Sequence, residues 1–115
     1  MTIVKNQIGG HVVTADFSNT SYTTSNLASP NTSVETVTAM GLAKISWTGD
    51  WNIKQGNTVL FQSAANSAGT WDMTSQGFIM QGANTSANIT ANTASTTSTL
   101  YMVLSKYAYN TNGVY

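Results

Sequence analysis

Cysteine and arginine are both absent from the 115-residue chain, which has one proline, one histidine and a charged fraction of only 7%. The first absence excludes disulfides, thiolate metal sites and a thiol nucleophile, so stability has to come from packing and backbone pairing. The second leaves four scattered lysines, too few to neutralise a run of phosphates on one surface, and no nucleic-acid partner is expected. The longest strongly apolar stretch, Leu100–Leu104, is far too short to cross a bilayer, so no membrane partner is expected either. No basic segment followed by a sustained apolar run opens the chain, and a cleavable secretion signal is not expected.

Catalytic and metal chemistry is equally sparse. His11 is the lone imidazole and cannot found a histidine-based zinc site; it reads as a polar residue at the start of a strand. None of the nine glycines is spaced as a phosphate cradle, a nucleophile elbow or a dinucleotide fingerprint. Four acids, Asp16, Glu35, Asp50 and Asp72, include enough carboxylates for a glycosidase pair, yet their spacing selects none. A calcium site on Asp50 or Asp72 would lack oxygen-anion ligands. The expectation is a protein that is not an enzyme and has no metal and no cofactor.

In place of charge the chain carries short neutral hydrogen-bonding side chains: 13 Ser, 19 Thr and 12 Asn. Disordered tracts are usually poor in aromatics and rich in net charge. Three Trp, five Tyr and three Phe on a net charge of zero argue instead for a packed core. A chain of this mass can bury about two thirds of its extended surface, enough for one domain. Asn-x-Ser/Thr triplets begin at Asn19, Asn31, Asn84 and Asn88, but a chain so rich in these residues produces about three by chance, so they do not establish glycosylation.

Turn signals and alternating side chains predict strands along most of the chain. Residues 1–10, with Ile3, Val4 and Ile8 before Gly9-Gly10, read as an N-terminal arm or edge strand leading into His11–Phe17. Ser18–Ser33 reads as a long polar surface loop. Thr32–Lys44 opens on a Thr-x-x-Glu pattern that suits a helix start, but its β-branched density and Gly41 favour a strand.

The most informative stretch is Leu42–Ser63. Turn signals at Thr48-Gly49-Asp50 and Gln55-Gly56-Asn57 predict a three-stranded meander with Trp47 opposite Trp51, Ile45 opposite Ile53, Ile53 opposite Val59 and Trp51 opposite Phe61. That register gathers Ile45, Trp47, Trp51, Ile53, Val59 and Phe61 on one core face, at the cost of setting Lys44 opposite Lys54. Thr70–Met73, Phe78–Met80 and Ser86–Ala91 read as short strands. In Thr99–Tyr107, Leu100, Met102 and Leu104 share one face and Tyr101, Val103 and Tyr107 the other, the mark of a strand that is central or covered by a neighbouring subunit.

The fold class expected is all-β: a single antiparallel β-sandwich or jelly-roll-like domain of about eight short strands over residues 11–107, with a tail over 108–115. Large indoles usually pack inside, leaving Trp71 as the least constrained of the three. Residues available for contact are Ile3, Val4, Tyr22, Trp71, Tyr107, Tyr109 and Tyr115. A neutral surface of short side chains has little long-range repulsion and loses little rotamer entropy at a contact, so it suits assembly, including with further copies of itself.

The segment Ala43–Phe61, followed by Gly69-Thr70-Trp71-Asp72-Met73 and Leu100-Tyr101-Met102-Val103-Leu104, resembles small virion proteins of tailed bacteriophages, particularly those of marine bacteria and cyanobacteria. The likeness covers about half the chain and departs at Gln55, where such proteins often carry Lys or Arg. It implies a β-sandwich structural protein of the virion, folded in the bacterial cytoplasm. The role implied is a capsid decoration protein that bridges subunits of the major capsid protein through many weak contacts. The alternative is a tail or fibre adhesin, or a carbohydrate-binding module, that stacks sugars on Trp71, Tyr22 or the Ser18–Ser33 loop.

Overall fold

Alternating apolar and polar residues with turn signals roughly every ten positions produce nine strands among the described residues. The structure, a computed structural model, describes residues 2–6, 11–28, 35–72 and 86–110, and for Glu35 and residues 107–110 the backbone alone. The strands are β1 (Ile3–Asn6), β2 (His11–Asp16), β3 (Thr20–Tyr22), β4 (Glu35–Thr48), β5 (Asn52–Gln55), β6 (Thr58–Gln62), β7 (Ala68–Asp72), β8 (Ile89–Asn92) and β9 (Thr99–Asn110). A one-turn helix, α1 (Thr24–Leu27), follows β3.

Two antiparallel sheets result, a five-stranded one in the order β1-β2-β9-β4-β7 and a four-stranded one in the order β3-β8-β5-β6. The pairs β2·β9, β3·β8, β4·β7 and β5·β6 are nested, like one long eight-stranded hairpin whose tip is the β5–β6 turn. Rolling that hairpin up adds the pairs β4·β9 and β5·β8 and closes the sandwich. This is jelly-roll topology, with β1 added at one edge.

The core lies between the sheets. Val12, Leu42, Ile45, Leu100, Met102 and Leu104 from the five-stranded sheet meet Tyr22, Ile53, Phe61 and Ile89 from the other, with Trp51 packed in from the connection before β5. β9 is the central strand of its sheet; Leu100, Met102 and Leu104 face the core, while Tyr101 and Val103 lie on the outer side and stay at least partly exposed.

The meander over residues 42–63 does not form. β4 and β5 belong to different sheets, so Thr48-Gly49-Asp50 crosses the sandwich rather than turning a hairpin. Trp47 lies opposite Leu100 and Gly69, and Ile45 opposite Met102 and Trp71, rather than opposite Trp51 and Ile53. Lys44 therefore never faces Lys54; its neighbours are Asp72 and Val103. The inward set survives because the inner faces of two stacked sheets point at each other, so Ile45, Trp51, Ile53 and Phe61 still share one core.

Val59 is the exception and is 48% exposed. The turn after β5 has two residues, Gly56-Asn57, with Gly56 at φ +60 as the first position of a type II′ turn requires. Gln55 then faces Thr58, Lys54 faces Val59, and Ile53 faces Phe61, leaving Leu60 as a bulge. The extra residue lets Leu60 and Phe61 both be buried and turns Val59 outward beside Lys54. A matching bulge at Ala43 reconciles the odd spacing of Leu42 and Ile45, both inward.

Two boundaries also differ from expectation. Ser18–Ser33 is not one loop: it contains β3 and α1, whose start is fixed by Thr23 and Asn26 in a reciprocal capping box. β9 stays paired as far as Asn110, opposite Glu35, so residues 108–110 belong to the sheet rather than to a tail. Residues 1–10 contribute β1, an edge strand paired with β2. Phe78–Met80 and Tyr115 lie outside the described residues.

Candidate functional site

Jelly-roll winding sends four sheet-to-sheet connections to one end of the sandwich: residues 17–19, 49–51, 63–67 and 93–98. Short polar side chains tie these loops together. Gly49 donates its N–H to the Ser67 carbonyl at 2.7 Å, while its own carbonyl accepts from the Ser63 and Ser67 hydroxyls at 2.9 and 3.3 Å. With φ at +88 and a position where any Cβ would fall 2.0 Å from Ser98 Oγ, Gly49 has no tolerable replacement. Asn19 Oδ1 accepts from the Thr93 N–H at 2.8 Å, and Thr93 Oγ1 donates to Asp50 Oδ1 at 2.8 Å.

Donation from Thr93, helped by backbone N–H groups of Ala94 and Ser95, holds the Asp50 carboxyl below the usual carboxylate range. The three depressions between these loops are open and shallow, with volumes of about 480, 320 and 490 Å³. Asp50 is the sole carboxylate lining them, so among the described residues there is no acid–base pair at this end. No group of three His, Asp or Glu able to hold a metal occurs among the described residues. No helix there is long and apolar enough to cross a membrane.

The indoles of the core sit beside this end. Trp51 is buried, and its Nε1 donates to the Thr48 carbonyl at 3.0 Å. Trp47 is half-buried against the core, donates Nε1 to Ser67 Oγ at 3.1 Å, and packs on Phe61 with ring centroids 4.6 Å apart. Phe61 in turn meets Trp71 at 5.8 Å, closing the open side of the sandwich between β6 and β7. Trp71 keeps 38% exposure there.

Tyr22, expected as a surface contact, is fully buried. Its hydroxyl donates to Asp16 Oδ2 at 2.5 Å, and Asp16 Oδ1 accepts the Thr2 N–H at 3.3 Å, so the pair anchors the start of β1. Burial, then the bond to Asp16, pushes the phenol well above its ordinary value. The sequence hid this because Ser18–Ser33 has too few apolar residues to announce a strand. Tyr22 is thereby removed from any sugar-stacking platform. Ile3 packs partly against the core and Val4 is exposed. Tyr107 and Tyr109 lie in β9, opposite Ala39 and Thr36.

A second surface, which sequence reasoning missed, is the outer face of the five-stranded sheet. Phe17 and Tyr101 meet edge to face there, with centroids 6.4 Å apart and exposures of 56% and 46%. Val13, Lys44, Ser46, Tyr101 and Val103 line a groove of about 230 Å³ beside them. The signal was available in Tyr101 and Val103, which alternate with the core residues of β9 and give the strand the second apolar side expected of one that is central or covered by a neighbouring subunit.

Fold and site together define an all-β jelly-roll domain with an interlocked, hydroxyl-rich loop end and an apolar patch on one sheet face. Compared with protein-family models, with curated proteins and with solved structures, the chain has no match.

Proposed function

We propose that this chain is a non-enzymatic structural protein of a bacteriophage virion, a capsid decoration protein that binds and bridges capsid subunits. The observation that carries the reading is the exposed aromatic pair Phe17–Tyr101 on the outer sheet face of a domain with no net charge. Contiguous exposed apolar surface on a small domain is a mark of macromolecular contact. The loop end supports the same reading: its hydroxyls and amides bond to one another, so it offers a fixed surface rather than a reactive group. Jelly rolls recur in viral capsid domains, and they also carry lectins, so topology alone does not choose between the two.

The test is cosedimentation of the purified chain with empty capsids of the encoding phage. Saturable binding at a fixed ratio to the major capsid protein is expected, and its absence would overturn the proposal. The adhesin reading rests on Trp71, 38% exposed at the sandwich edge. It predicts glycan-array binding that Trp71→Ala abolishes, whereas the decoration reading predicts capsid binding indifferent to that change.

A further inference from the structure

On the outer face of the four-stranded sheet, strand register sets three amides in one row: Gln62 on β6, Asn52 on β5 and Asn92 on β8. Neighbouring strands lie about 5 Å apart, so the row is about 10 Å across. Asn52, at its middle, alternates with the buried Ile53 and therefore faces outward. All three amides line the depression of about 320 Å³ where this face meets the loop end, together with Asp50, Ser63 and Thr93.

The hydroxyls of the depression are already committed. Ser63 Oγ accepts the Trp51 N–H and donates to the Gly49 carbonyl, and Thr93 Oγ1 donates to Asp50 Oδ1. The amides differ. Gln62 and Asn92 are exposed, and Asn52 Oδ1 is buried without a hydrogen-bond partner. Native proteins seldom leave a buried acceptor unpaired. The last torsion of an Asn side chain is broad, so the Asn52 amide can turn toward the depression without breaking any bond to that oxygen.

Each of these amides offers two donor hydrogens and an acceptor oxygen, and the Asp50 carboxylate only accepts. No lysine or histidine lines the depression, so nothing there neutralises a phosphate or an acidic sugar, and Asp50 repels both. Trp51 is only 1% exposed, which leaves no open ring in the depression for a nucleobase to stack on. The complement of such a lining is an uncharged ligand covered in groups that both donate and accept. We infer that the row Gln62–Asn52–Asn92 binds a neutral saccharide, whose hydroxyls bond to adjacent amides and to Asp50. This binding goes beyond the decoration role and does not depend on it, because the Phe17–Tyr101 pair belongs to the opposite sheet. Hydrogen bonding without a stacking platform makes one site weak, and display in many copies multiplies it.

A glycan array probed with the labelled chain tests this, with each glycan that scores then titrated into isotope-labelled protein and followed by NMR. Uncharged glycans should bind, and the side-chain NH2 signals of Asn52, Gln62 and Asn92 should shift on titration. Asn52→Ala should weaken binding by about tenfold, as the loss of one or two hydrogen bonds requires. Trp71→Ala should bind as the parent. An unchanged melting temperature shows that Asn52→Ala folds; if it melts lower, Gln62→Ala/Asn92→Ala, at two exposed positions, carries the same expectation.

Failure to bind any neutral glycan, binding confined to acidic glycans, or binding that Trp71→Ala abolishes and Asn52→Ala spares would overturn this site. The decoration role is read separately by capsid cosedimentation, in which Asn52→Ala should behave as the parent. Loss of capsid binding in Asn52→Ala, with no glycan bound by the parent, would assign the row to the shell contact and overturn the saccharide as its ligand.

Discussion

Trp51 concentrates much of the sandwich in one side chain. It is almost fully buried, its ring nitrogen is bonded to Thr48, and its backbone N–H donates to Ser63 Oγ at 2.7 Å. Trp51→Ala removes the ring, leaves a cavity, and orphans the Thr48 carbonyl. A loss of about 3 to 5 kcal/mol is expected, a large part of the stability of an ordinary domain. The denaturant midpoint checks it, and a variant that unfolds like the parent would mean that the indole does not pack between the sheets.

Tyr22 offers a residue-scale prediction in pH. Its folded pKa is raised, so its contribution is fully present below the ordinary tyrosine value of about 10 and is lost as pH climbs past it. Urea midpoints followed from about pH 8 to pH 11 should therefore fall more steeply for the parent than for Tyr22→Phe. The variant starts from a lower stability because Asp16 loses its 2.5 Å donor. Parallel curves would show that the phenol titrates normally in the fold.

Between elements, the same logic identifies a clamp. Asn6 Nδ2 donates to the Leu27 and Ala28 carbonyls at 3.0 and 3.1 Å, joining β1 to the end of α1. Lys106 Nζ, buried in β9, donates to Asn6 Oδ1 at 2.7 Å and to the Leu27 carbonyl at 3.0 Å. Asn6→Ala takes an acceptor from a buried ammonium, and a cost of about 1 to 3 kcal/mol is expected. A double-mutant cycle with Lys106→Met should show clear coupling between the two positions; additive losses would mean that β1 and α1 are held by other contacts.

Element by element, what the chain reveals on reading depends on whether local pattern and global topology agree. Leu100, Met102 and Leu104 alternate within one unbroken strand, and their fully buried positions follow from a period of two. The crossing at Thr48-Gly49-Asp50 was misread because a Gly-Asp turn signal between alternating runs is the same for a hairpin and for a link between stacked sheets. Bulges at Ala43 and Leu60 shift the alternation by one residue, and nothing in composition marks them. β3 has three residues, two of them hydroxyls, and owes its existence to pairing with β8 rather than to its own sequence.

At the scale of the whole molecule, nested strand pairing yields a sandwich with two contrasting exteriors. One is a loop end whose polar groups are committed to each other. The other is a sheet face that exposes the Phe17–Tyr101 pair. In the proposed decoration role, such a domain, without disulfides and with few charges, would dock repeatedly on a lattice, where many modest contacts add up. Cryo-electron microscopy of the intact phage particle tests this most directly. The account predicts jelly-roll density at regular positions on the outside of the capsid, with the five-stranded sheet turned toward the shell. Density confined to the tail, or a particle that lacks the chain altogether, would contradict it.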